Sequence, residues 1–88
     1  MIEQKTLVEI ATKIEQHQLD DNIVSILRQS YPTMLFTYCS DDDIPNHSPV
    51  IEKKDFNLYL VDNREHCLCL TNDFEVASGV VIAEIFPE

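Results

Sequence analysis

Phe56-Asn57-Leu58-Tyr59-Leu60-Val61-Asp62, then Asn63-Arg64-Glu65, then His66-Cys67-Leu68-Cys69-Leu70-Thr71: this stretch decides the fold. Leucine recurs at every second position of both outer runs, beside Tyr59 and Val61. That period places one set of side chains on each face of a strand, so the segment reads as a β-hairpin. A loop of Asn63-Arg64-Glu65 sets Leu60 opposite Leu68 and Leu58 opposite Leu70. The same register pairs Val61 with Cys67, Tyr59 with Cys69 and Asp62 with His66. A shorter Asn63-Arg64 turn would set leucines against cysteines, and it lacks the glycine such turns favour.

Before the hairpin, the first 31 residues have helical periodicity. Leu7, Ile10, Ala11 and Ile14 form one stripe, with a capping box at Thr6-Leu7-Val8-Glu9 or a start slightly earlier. Ile23, Val24, Ile26, Leu27 and Tyr31 form a second stripe, for which Asp20 is the expected N-cap. Pro32 closes it, because proline drives the preceding residue out of helix. Two helices with a short joint predict an antiparallel helical hairpin. Met34-Leu35-Phe36-Thr37-Tyr38-Cys39 then reads as a strand. Residues 40–55 read as a long polar loop holding Pro45 and Pro49, with Val50-Ile51 briefly extended. Ser40-Asp41-Asp42-Asp43 has a capping-box pattern, but the prolines that follow argue against a helix there.

After the hairpin, Asn72-Asp73-Phe74-Glu75 suggests a short helix ended by Gly79, and Val80 to Phe86 a last strand. The expected class is α+β: a two-helix hairpin (1–31) on one face of an antiparallel sheet of about four strands (33–86). Residues 1–88 are expected to form one domain.

The faces of that sheet carry the functional argument. Leu58, Leu60, Leu68 and Leu70 are expected under the helices, with Val81, Ala83 and Ile85 of the last strand. The opposite face would hold Tyr59, Val61, Cys67, Cys69, Val80, Ile82 and Phe86, too apolar for water. Either loop 40–55 folds over this face or another chain does, a second copy or a different protein. Tyr59, Val61, Val80, Ile82 and Phe86, with Asp41, Asp42 and Asp43, are therefore the candidate partner-binding residues.

Charge narrows the partners. The 88 residues carry 16 acids against 6 Lys and Arg, a net charge of −10. Residues 1–30 contribute −2 and residues 31–88 contribute −8. Such a chain does not hold a nucleic-acid backbone, which requires cations to replace counterions, nor an anionic membrane surface. A basic protein is the complementary partner. No apolar run approaches the ~20 residues of a membrane span, and no signal-peptide pattern opens the chain. Cys39, Cys67 and Cys69 are an odd set, which fits a reduced, cytoplasmic protein.

Residues able to ligate a metal are Cys39, Asp41, Asp43, His47, Cys67 and Cys69. Their spacing matches no zinc pattern, and Asn46 stands where a calcium loop of the EF-hand type needs glycine. Buried cysteine also serves as a small apolar residue. His66 reads as the cross-strand partner of Asp62, and His17 as the end of the first helix. Catalysis by Cys39 with His47 as base is disfavoured, because three neighbouring carboxylates raise the thiol pKa. No cofactor motif and no catalytic constellation is present, so a non-enzymatic role is expected.

Phe36-Thr37-Tyr38-Cys39-Ser40-Asp41-Asp42-Asp43, Phe56 through Asp62 and His66 through Thr71 together resemble a family of short uncharacterised proteobacterial proteins. Some of its members are linked to nitrogen fixation. The resemblance covers most of the chain and implies an accessory role beside a metalloenzyme system; it assigns no catalytic residue. The leading expectation is a small acidic accessory or regulatory protein that binds another protein. A metal-handling module and an acidic mimic of nucleic acid are the alternatives.

Overall fold

In the computed structural model, the apolar stripes of the N-terminal segment become the buried sides of two helices. The structure describes residues 2–17, 19, 21–44, 48–62 and 69–85. Helix α1 (Gln4–Gln16) buries Leu7, Ile10, Ala11 and Ile14. Helix α2 (Asp21–Ser30) buries Ile23, Val24 and Leu27. The first helix starts two residues before Thr6, with Glu3 at the N-cap. Asp20 lies outside the described residues.

Among the described residues the sheet has five strands: β1 (Leu35–Ser40), β2 (Ile51–Glu52), β3 (Phe56–Asp62), β4 (Cys69–Thr71) and β5 (Gly79–Glu84). The class is α+β, as expected, but the sheet is mixed. β5 lies between β1 and β3, parallel to β1 and antiparallel to β3. The far edge of β3 is shared by β2 near Leu58 and β4 near Val61. β5 takes the interior because its residues Gly79 to Ala83 are all buried, and only an interior strand is covered on both faces and both edges.

Two face assignments change as a result. Val80 and Ile82, expected on the second face, lie at 0% exposure under the helices, with Phe36, Phe56, Leu58 and Leu60. Val81 and Ala83 occupy the second face with Tyr59 and Val61. Alternation alone cannot orient a strand that is apolar on both sides. The β3–β4 register also differs: Leu60 pairs with Thr71, Val61 with Leu70 and Asp62 with Cys69. An odd shift of register exchanges faces. It moves Leu70 onto the second face, where it packs with Tyr59 and Val61, and Cys69 onto the side of Leu60. The expected turn at Asn63-Arg64-Glu65 and residues His66, Cys67 and Leu68 lie outside the described residues.

Instead of the expected helix after Thr71, residues 74–76 form a turn. Thr71 Oγ1 accepts from the Asp73 N–H at 3.1 Å, and Asp73 Oδ1 from the Glu75 N–H at 2.9 Å. These short side-chain loops start a helical turn without extending it. The Phe74 carbonyl then accepts from the Ile2 N–H at 3.0 Å, fastening the N-terminal segment.

Gly79 is the tightest point of the sheet. A Cβ placed there would lie 2.6 Å from both Leu35 Cβ and the Leu35 carbonyl oxygen. Next to it, the Ser78 N–H donates to Val61 O at 2.8 Å, and Ser78 O accepts from the Leu35 N–H at 3.1 Å. Gly79→Ala is expected to lower stability by ~1–3 kcal/mol through overpacking. Leu60→Ala is expected to lower it by ~2–5 kcal/mol through an unfilled core. Val8→Ala, at a half-exposed site, should change it by less than ~0.6 kcal/mol. Urea unfolding checks all three; a neutral Gly79→Ala would contradict the close approach of β1 and β5.

Candidate functional site

Ser40 ends β1 and opens a single 3₁₀ turn, Asp41–Asp43. Its Oγ accepts from the Asp42 N–H at 3.3 Å, so the capping pattern set aside in the sequence is used, for one turn only. The turn folds back over the second face of the sheet. There Asp41 Oδ1 accepts from Asn57 Nδ2 at 3.0 Å and from the Tyr59 hydroxyl at 2.9 Å. Ile44, Cys39 and Leu70 pack against Tyr59, Val61, Val81 and Ala83. None of these four is more than 6% exposed. The apolar second face is thus buried, with Ile44 of the polar loop among the residues packed on it.

Electrostatics follow from this closure. Burial pushes the Cys39 thiol up, and Asp43 and Asp41 push it further. That is the opposite of what a nucleophilic thiolate needs. Burial and the bond to Asp41 also push the Tyr59 phenol up, partly offset by Asn57.

The metal-ligating candidates among the described residues fall in two places. Cys39, Asp41 and Asp43 are neighbours, but Cys69 pairs with Asp62 on the other face, at the far edge of the sheet. His47 and Cys67 lie outside the described residues. Among the described residues no three His, Cys, Asp or Glu side chains gather as metal ligands.

The partner-binding candidates divide similarly. Tyr59, Val61, Val80 and Ile82 are buried, and Phe86 lies outside the described residues. Asp41 is held inside the turn, while Asp42 and Asp43 face solvent.

What the sequence reading missed is the outer edge of β1. Among the described residues no strand pairs with that edge. Since the Leu35 N–H bonds toward β5, alternation turns the backbone groups of Phe36 and Tyr38 and the Ser40 N–H away from β5, while the Ser40 carbonyl, as that of an N-cap, serves the 3₁₀ turn. Arg28 of α2 reaches across and donates to the Phe36 carbonyl at 3.0 Å. Arg28, Pro32, Met34, Leu35, Phe36 and Thr37 line a groove of about 470 Å³ along this edge. Leu35 is 41% exposed there, one of two large apolar side chains that are open to solvent among the described residues.

The raised Tyr59 and Cys39 values fix an alkaline sensitivity. The folded chain holds these protons more tightly than the unfolded chain, so their contribution is complete below the ordinary values of 9.0 for the thiol and 10.0 for the phenol. It is lost as pH rises through the folded values. Stability should therefore fall above about pH 9, and Tyr59→Phe should flatten the fall above about pH 10. Urea midpoints measured from pH 7 to 11 check this; an unchanged slope in Tyr59→Phe would contradict the Asp41 contact.

No curated protein and no solved structure matches the chain. No helix among the described residues is long and apolar enough to cross a membrane. A family model described as a family of unknown function, DUF6129, matches residues 8–85. That match spans most of the α+β structure just described, and the chain belongs to this family.

Proposed function

We propose that the chain is a small, acidic, non-enzymatic accessory protein that works by binding another protein, and that it does so along the β1 side of the sheet. One observation carries this reading: β1 combines an outer edge that no described strand covers with six residues, Leu35 to Ser40, that bear no charge. Proteins ordinarily protect such edges with charged side chains, proline, bulges or covering elements, because an open edge invites another chain. Here Arg28 of α2 holds one carbonyl of that edge.

The acids support a basic partner. Asp42 and Asp43 are exposed directly after β1, in the part of the chain that carries −8 of its net charge. A negative field beside an apolar contact raises the encounter rate with a basic protein and discriminates against acidic ones. The setting implied by the family resemblance is a metalloenzyme system, and the proposed partner would be a component of it. The raised Cys39 thiol supports the non-enzymatic part of the reading.

Charge reversal tests the proposal without disturbing the fold, because both aspartates face solvent. Asp42→Lys with Asp43→Lys should leave the urea midpoint within ~0.5 kcal/mol of the parent chain. In crosslinking capture from native cells, the same variant should lose at least nine-tenths of any protein recovered with the parent chain, and Leu35→Ser should weaken its recovery. A captured set indifferent to both changes would contradict the reading.

A further inference from the structure

Resting on the protein-binding reading above, we infer that the groove beside Arg28 receives the C-terminal end of the partner: an apolar last residue, with its α-carboxylate on the guanidinium. The groove sits in the crook of one connection. Its described lining residues lie between positions 28 and 37, on α2, on β1 and on the segment that joins them. Backbone bonds fix that segment: the Tyr31 N–H donates to Leu27 O at 2.8 Å, and the Met34 N–H to Tyr31 O at 3.1 Å. The Tyr31 ring packs against Phe36, with centroids 6.2 Å apart. The groove is therefore shaped before a ligand arrives. Its volume of about 470 Å³ falls within the ~300–1,000 Å³ of small-ligand sites.

Arg28 gives the groove its polarity. Its Nη2 donates to the Phe36 carbonyl at 3.0 Å, which anchors the guanidinium against β1. A guanidinium has five N–H donors, so an anchored one keeps others for a ligand. Among the described residues Arg28 joins no ion pair; the pair they form is Lys53 with Glu15. No acid stands among the described residues that line the groove. In a chain of 16 acids and 6 Lys and Arg, a cation without a carboxylate runs against the surplus. The group that complements a fixed planar guanidinium is a carboxylate, held by two parallel bonds.

The walls select what stands beside that carboxylate. Pro32, Met34 and Leu35 are apolar, and Leu35 is exposed. A chain end supplies both features together, because the α-carboxylate and the last side chain share one Cα. An internal Asp or Glu would need its apolar group from a neighbour. Pro32 and Met34 also bring the joining segment into the lining, which closes the groove at that end. A bound chain stops there. The charge of the whole protein decides the source of the carboxylate. A free fatty acid approaches a net charge of −10, whereas a basic protein is drawn by that field and delivers its own carboxylate at short range.

Arg28→Gln tests this, since it removes the charge but keeps an N–H donor for the Phe36 carbonyl. NMR shift titration of the full chain would use a six-residue peptide of serine and lysine that ends in valine and leucine. Three probes share that sequence: the free acid, the C-terminal amide, and a free acid ending in serine. Octanoate is the fourth probe.

The leucine free acid should bind at least tenfold tighter than the amide and at least threefold tighter than the serine-ended acid. In Arg28→Gln, at an unchanged urea midpoint, the preference for acid over amide should fall below twofold. Equal binding of acid and amide to the parent chain, no binding of either, or a preference kept in Arg28→Gln would overturn the inference. Octanoate binding tighter than the leucine free acid would assign the groove to a free fatty acid and also overturn it. If Arg28→Gln does not fold, the parent chain decides: shifts on Met34, Leu35 and Thr37 support the inference, and shifts confined to Val61 and Leu70 overturn it. A native partner lost in the Asp42→Lys, Asp43→Lys chain but retained by a folded Arg28→Gln would overturn the C-terminal groove and leave protein binding standing.

Discussion

The close approach of β1 to Gly79 governs the rest of the molecule. With no side chain at Gly79, the backbone of Leu35 comes to within a distance that a Cβ would forbid. Ser78 bonds to Leu35 on one side and to Val61 on the other, so three strands meet at one point. Placing β5 there makes it the centre of the sheet and makes its pairing with β1 parallel. A parallel pair needs a long crossover; here the crossover is everything from the 3₁₀ turn to the 74–76 turn. The same arrangement leaves β1 on the outside.

Burial on both faces follows from that centre. The helices cover the side of Phe36, Val80, Ile82, Leu58 and Leu60. The other side holds Tyr59, Val61, Val81 and Ala83, packed with Cys39, Ile44 and Leu70. Asp41 fastens the turn that leads into Ile44 by accepting two hydrogen bonds from β3. Charge-bearing acceptors of this kind contribute more than neutral ones, since an unpaired Tyr59 hydroxyl at this depth would cost ~1–3 kcal/mol. The Asp41-Asp42-Asp43 run thus divides its labour: its first residue holds structure, and the next two remain in solvent.

The helices were legible because each has a single buried side, and the apolar stripe of Leu7, Ile10, Ala11 and Ile14 is that side. β3 was legible for the same reason of period. Strand order was not, because it depends on pairing between distant segments, and the apolar run Val80 to Ala83 satisfies either face. The register of β4 was also hidden, since leucine and cysteine alternate there and a shift merely exchanges them. The residues of the site show the same divide. The 3₁₀ turn has its signal in Ser40 and the aspartates after it, and Pro45 and Pro49 limit that signal to a single turn. The edge position of β1 among the described strands has no signal of its own, because being an edge is a property of strand order.

One structural feature therefore carries the proposed function: β5 pairs with the inner side of β1, and no described strand pairs with its outer side. Amide hydrogen exchange followed by NMR on the dilute chain tests it directly. Leu35, Thr37 and Cys39, whose amides face β5 by alternation from the Leu35 bond, should be protected, while Ser40 should exchange at nearly the rate of an unstructured amide. Protection of Ser40 equal to that of Cys39 would mean that the edge is already covered, and would contradict the account.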